Sequence, residues 1–239
     1  FVRICHGLPR RGAGGAPSKG RRNMNFGERL NHIPARCAIL CAGFAVMAFG
    51  IAFSIKAGLG TSPVSSVPYV ASAISGLSVG TTTILVNTLF VVFQILLLRR
   101  RYQWIQLLQI PAAVLLGVMI DLGGAVIAGI PCQGYLQRWA LCAVGIFLVG
   151  AGVGIEVMAK LVTTAGEGLV LAICQVAPVK FGNMKIIFDL SLVSLAIAAS
   201  LLWFGRLEGV GEGTVAAALC VGLVAKLLAA PMRRFEETF

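Results

Sequence analysis

Six apolar runs dominate the chain, at roughly 37–56, 79–98, 106–128, 138–159, 183–204 and 211–230. Each is near the about 20 residues that a helix needs to cross a bilayer. Of the 239 residues, 58% are hydrophobic and 12% charged, and the mean hydropathy is +0.90. A soluble fold of that composition would have to wear an apolar exterior. The sequence therefore reads as an all-α integral membrane protein. It excludes a secreted disulfide scaffold, a disordered chain and an ordinary cytosolic enzyme.

Two shorter apolar stretches, 64–76 and 167–178, are too short to span. Each follows a turn of small and polar residues, GLGTSP at 58–63 and TTAGEG at 163–168, and each ends at a breaker, Gly76 or Pro178. Charge decides how they run. If they dip in and return, Arg99, Arg100, Arg101, Lys160, Lys180, Arg233 and Arg234 share the cytoplasmic side with a basic N-terminus, and only Lys56, Arg138 and Arg206 lie outside. If they span, the arginine cluster is forced outside, against the usual excess of Lys and Arg on the cytoplasmic side. The expectation is six transmembrane helices plus two re-entrant half-helices, with both termini cytoplasmic.

The net charge of +11 sits mainly in residues 1–36, which hold eight Lys/Arg and one acid. This arm lacks the interleaved aromatics of a nucleic-acid surface, so it reads as a topology signal and no nucleic acid is expected. Residues 1–23 have no apolar period and read as disordered. Met24 opens a more ordinary start, so 1–23 read as lying upstream of the usual one. Of seven cysteines, five lie inside apolar runs, and His6 and His32 are both in the arm. No metal site or cofactor is expected, and without a histidine base no Ser–His or Cys–His nucleophile is either.

The chain repeats itself. A slide of 102 places Gly43, Gly50, Thr61, Gly80 and Ile84 on Gly145, Gly152, Thr163, Gly182 and Ile186, and a three-residue insertion then places Gly117 on Gly222. The units are 37–128 and 138–230, followed by a cytoplasmic tail at 231–239. Each reads as span, half-helix, span, span. Three spans per unit is odd, so the second unit is inverted, and inverted repeats with broken helices are a transporter pattern.

Irregular backbone at membrane depth lines a cavity or is buried in protein. The two turns thus mark a substrate-binding site: Thr61, Ser62, Ser65 and Ser66 from the first, Thr163, Thr164, Gly166 and Glu167 from the second, and Asn87 from the span after the first half-helix. Thr61 and Thr163 are expected to meet in one cavity at the bilayer centre. Helix N-termini favour an anion there, while Glu167 reads as a cap or as a proton or cation carrier. The alternative is that these hydroxyls are plain N-caps. A polar coupling network is expected from Glu167, Lys185, Asp189, Asp121 and Glu212, with Lys185 and Asp189 paired at i, i+4. Two nearby acids in a low-dielectric site cannot both ionise cheaply, so one takes a proton. Asp121, Glu156 and Lys226 also fit snorkelling at an interface.

The runs AGLGTSPVSSVPYVAS (57–72), GTTTILVNTLFVVFQ (80–94), GEGLVLAICQ (166–175), FGNMKIIFDLSLV (181–193) and GRLEGVGEGTVAAALCVG (205–222) resemble the YczE/YyaS/YitT-like family of bacterial inner-membrane proteins. The resemblance covers about 37–235 and implies a polytopic bacterial membrane protein, without naming a reaction. The leading functional reading is a secondary transporter or exporter of a small polar or anionic solute, with proton coupling. The alternatives are a substrate-binding membrane subunit with an energising partner, and a non-transporting accessory protein. Small-residue faces such as Gly145 and Gly152 fit either internal packing or a homodimer.

Overall fold

The computed structural model describes residues 33–132, 134–159 and 161–236. The arm up to residue 32, Gln133, Lys160 and residues 237–239 lie outside them. The described chain is helical, with no strand: α1 Ile33–Ala57, α2 Pro63–Ser75, α3 Val79–Leu98, α4 Gln109–Ile127, α5 Tyr135–Ala159, α6 Ala165–Val176, α7 Phe181–Phe204 and α8 Glu212–Glu236. Among the described residues, five helical stretches are long and apolar enough to cross a membrane: Arg36–Ala57, Val79–Arg101, Trp104–Ile127, Tyr135–Ala159 and Phe181–Phe204. Some bounds differ from the sequence reading. Helix α1 already includes Ile33–Arg36, which the sequence gives to the arm, and α8 runs through most of the expected tail.

Local chemistry places the breaks. Pro63 sits in the first turn of α2, where its missing N–H costs nothing. Gly76 ends α2 in the left-handed region at φ 72°, a conformation that glycine alone adopts freely. Ser78 caps α3 by accepting from Thr81 N at 3.1 Å, and Gly205 closes α7 at φ 66°.

Helices α1 and α5 share the most extensive interface. A β-carbon on Gly145 would lie 2.8 Å from Gly50 O, and one on Gly152 2.8 Å from Gly43 O. The backbones meet directly, which is how small residues hold helices together in lipid. The two helices run antiparallel, because Gly43 opposes Gly152 while Gly50 opposes Gly145. Both glycines whose role the sequence leaves open are used inside the protomer. Around this pair, α1 also packs on α4 and α5 on α8, α3 on α6 and α2 on α7, α2 on α3 and α6 on α7. One pairing has no counterpart: α3 packs closely on α4, while α7 and α8 scarcely touch. Large apolar side chains such as Leu96, Val126, Leu202 and Leu227 stay exposed. Such a surface belongs against lipid acyl chains.

Candidate functional site

The starts of α2 and α6 meet in one apolar cluster. At the first, Thr61 is 2% exposed, its backbone N–H donates to Gly209 O at 3.0 Å, and its hydroxyl lies 3.3 Å from the same carbonyl and 3.4 Å from Ser66 Oγ. Ser62 Oγ donates to Ser65 Oγ at 3.0 Å, and Ser66 Oγ donates to Ser62 O at 3.0 Å. Gly213 N donates to Leu59 O at 2.8 Å, so the first turn of α8 pins the turn before α2. Here lies a cavity of about 220 Å³, lined by Thr61, Tyr69, Glu208 and Glu212 together with the glycine-rich backbones of 58–60 and 209–211. Glu212 accepts from Tyr135 OH at 2.7 Å, and Arg206 pairs with Glu208 at 2.7 Å.

At the second turn the decisive residue is Glu156. It is 2% exposed, and its Oε1 accepts from Thr164 N at 2.5 Å. Thr164 is the N-cap of α6, and its own side chain makes no cap bond. The carboxylate from α5 therefore takes the N–H group that the sequence reading leaves for a solute. Glu156 Oε2 has no hydrogen-bond partner. Glu167, in the first turn of α6, lies near Glu156, Lys185 and Asp189. Lys185 and Asp189 form the expected pair at 2.6 Å. Gln94 holds the same turn from α3: its Nε2 donates to Ala165 O at 3.0 Å and to Gln109 Oε1 at 2.9 Å.

Between the turns, a methyl group on Gly166 would touch Val64 Cγ1 at 3.5 Å. Val64 and Val67 join Phe90, Ala165, Leu169 and Phe188 in one apolar cluster. The 220 Å³ cavity takes in Thr61 but neither Thr163 nor Thr164, so it is not the single shared cavity expected from sequence. Asn87 is buried and donates to Thr83 O at 2.8 Å. A slide of 102 maps that contact onto the Asp189–Lys185 pair. Asp121 is occupied elsewhere: its oxygens accept from Ser78 Oγ at 2.6 Å and Gly80 N at 2.8 Å, which ties the start of α3 to α4.

Residues 34–230 match the model of a family of unknown function (DUF6198). The chain belongs to that family. It is 28% identical over 185 residues to the uncharacterized membrane protein YczE of Bacillus subtilis, covering 77% of this chain and 80% of that protein. It is 27% identical over 182 residues to the uncharacterized protein YyaS of the same organism, covering 75% and 85%. No solved structure matches the chain. The family and these relatives agree with the resemblance read from sequence, and the chain is a membrane protein in contact with lipid.

Among these residues, Glu156 is the one whose role sequence reasoning missed, since interfacial snorkelling does not fit a fully buried side chain. A signal was present. The slide of 102 pairs Glu156 with Ser54, which is also buried and donates to Gly50 O at 3.0 Å. A buried polar position in both units is not an interfacial one. Chemically, the second turn offers carboxylates able to hold a proton or a positive group, and the first offers a small polar vestibule.

Proposed function

We propose that this protein is a proton-coupled secondary transporter of a small polar solute, built from two inverted repeats. In this reading α8 is the sixth span, α2 and α6 are re-entrant half-helices, and both termini face the cytoplasm of a bacterial cell. The pairwise packing supports the repeat, because each of three helix pairings recurs between the equivalent helices of the other unit. A β-carbon on Gly166, the equivalent of Val64, would lie 3.5 Å from Val64 Cγ1, an approach of the kind found beside a pseudo-two-fold axis.

The observation that carries the transport reading is the fully buried Glu156 with the half-buried Glu167 beside it at the start of a short helix. Two carboxylates that repel in a poorly hydrated place favour sharing a proton. Glu167 neighbours Lys185 and Asp189 on α7, so a change in its charge reaches a second helix. Glu156 is held by Thr164 N–H and serves as the fixed partner. Glu167 is then the proton carrier, and the vestibule at Thr61 is the outer entrance.

The test uses proteoliposomes containing a pH-sensitive dye, challenged with a panel of small polar solutes. Wild type is expected to move protons when a transported solute is added, and Glu167→Gln to lose at least tenfold of that response. If the variant responds as wild type does, Glu167 is only a first-turn residue of α6 and the coupling mechanism is dropped. If no solute moves protons in wild type, the transport reading falls.

A further inference from the structure

The contact that closes α3 on α4 has a counterpart in the second unit that no described residue covers. In the first unit a β-carbon on Gly80 would lie 2.5 Å from Asp121 Oδ2, and one on Gly117 2.6 Å from Ile84 Cγ1. Asp121 also accepts from Ser78 Oγ at 2.6 Å. The slide of 102, with its three-residue insertion, carries Ser78, Gly80, Ile84, Gly117 and Asp121 onto Lys180, Gly182, Ile186, Gly222 and Lys226. All five of these are exposed, and Gly182 and Gly222 have nothing within 4 Å of an added β-carbon. The two helices are held by other partners, α7 by α2 and α6, and α8 mainly by α5. Faces built for helix contact therefore stand open, with Ile186 on one and Leu223 on the other exposed to the apolar surroundings.

Charge says what covers them. Where the first unit places a hydroxyl and a carboxylate that bond, the second places two ammonium groups. Among the described residues, neither the Lys180 nor the Lys226 side chain has an ion-pair or hydrogen-bond partner. Lys185, the next base along α7, is already paired with Asp189. Two like charges at the spacing of the Ser78–Asp121 contact repel strongly in poorly hydrated surroundings, so α7 does not close on α8 as α3 closes on α4. A second copy packed here about a two-fold axis would bring the same two lysines to the contact and meet the same repulsion. An anion relieves it. Lys180 immediately precedes α7, and Lys226 lies in the second half of the following helix, so its long stem reaches toward the same surface.

We infer that an anionic phospholipid occupies this open face, its phosphate between Lys180 and Lys226 and its acyl chains along Ile186 and Leu223. The two glycines leave room for the chains. A zwitterionic lipid suits the place less well, because its own ammonium group meets the lysines. Basic sites between spans select acidic headgroups in this way. The inference rests on α8 lying in the bilayer, which in the six-span reading puts the lipid in the cytoplasmic leaflet, and it does not rest on transport.

The test titrates delipidated protein in a non-ionic detergent with phosphatidylglycerol or with phosphatidylcholine of the same chains, and counts bound lipid by native mass spectrometry. The first phosphatidylglycerol is expected to bind at least tenfold more tightly than phosphatidylcholine, and inorganic phosphate is expected not to displace it. Lys180→Gln/Lys226→Gln is expected to erase the preference at the wild-type melting temperature. Lys226→Asp, which restores the acid of the first unit and gives Lys180 a partner, is expected to erase it as well and serves if the double variant does not fold. Arg99→Gln/Arg100→Gln removes two exposed bases elsewhere and is expected to keep it. Equal binding of the two lipids by wild type, or a preference that survives the lysine substitutions, overturns the site. So does a preference lost equally in the arginine variant, which reduces it to general surface charge, or displacement by phosphate, which makes it a site for a free anion. Wild-type dimers that Lys226→Asp separates would assign the face to a second copy and overturn the lipid. A protein that holds phosphatidylglycerol but moves no solute keeps this site and loses only the transport reading.

Discussion

Asp121 and Lys226 occupy equivalent positions in the two units, yet only one of them can accept a hydrogen bond. Asp121 accepts from Gly80 N and Ser78 Oγ and so caps α3 from the neighbouring helix. Its removal leaves the start of α3 short of an acceptor. Asp121→Ala is expected to lower stability by about 1–2 kcal/mol, the range for losing a helix cap. Asp121→Asn keeps a carbonyl oxygen and is expected to lose less than half of that. Denaturant titration in detergent micelles compares the two, and equal losses would show that the charge matters more than the acceptor. Both Asp121 and Lys226 were visible in the sequence as ionisable groups within spans. The cross-helix cap was not, because it depends on which helix lies beside α4. Lys185 and Asp189 were legible for the opposite reason, since an i, i+4 pair needs no knowledge of neighbours.

At the scale of elements, the missing contact between α7 and α8 has a local cause. In the first unit Gly80 and Gly117 face each other: a β-carbon on Gly117 would lie 2.6 Å from Gly80 O. Their equivalents Gly182 and Gly222 have nothing within 4 Å of such a carbon. The small residues needed for close approach are present in both units, but the acceptor that anchors the approach is a lysine in the second. Gly117→Val is therefore expected to cost about 1–3 kcal/mol, as overpacking does. Gly222→Val is expected to change stability by less than about 0.5 kcal/mol, as substitutions in open surroundings do. Melting curves of the two variants in one detergent check this, and similar losses would mean that α7 closes on α8 in the membrane. The slide of 102 made the paired glycines legible. It could not show that only one pair is engaged, since that depends on a single charge reversal. The spans were legible because a run near 20 apolar residues has few other uses. Their ends were less so: the short 3₁₀ segment Trp104–Leu108 precedes α4, and no apolar count marks where one helix type gives way to the other.

For the whole molecule, orientation follows from which ends of the antiparallel α1–α5 pair carry positive charge. Arg99–Arg101 are exposed in the turn after α3, and Gln103 is exposed beside them. Ala128 and Gly129 are exposed at the other end of α4, where Lys56 is bonded to the Ala128 carbonyl. The 99–101 cluster brings three cations to one end within three residues, and Lys180 at the start of α7 lies on that same side in the six-span reading. Basic residues in short loops are retained in the cytoplasm during insertion. In a protein stripped of its native cysteines, a cysteine at position 103 is expected to react with a membrane-impermeant maleimide only after the cells are opened. A cysteine at position 129 is expected to react on intact cells. The two sites must report opposite sides, because α4 lies between them and its stretch Trp104–Ile127 is long enough to cross. Position 103 labelled from outside, with 129 protected, would invert the protein. The vestibule at Thr61 would then open to the cytoplasm, and the end of the molecule that carries the Glu156–Glu167 pair would face outward.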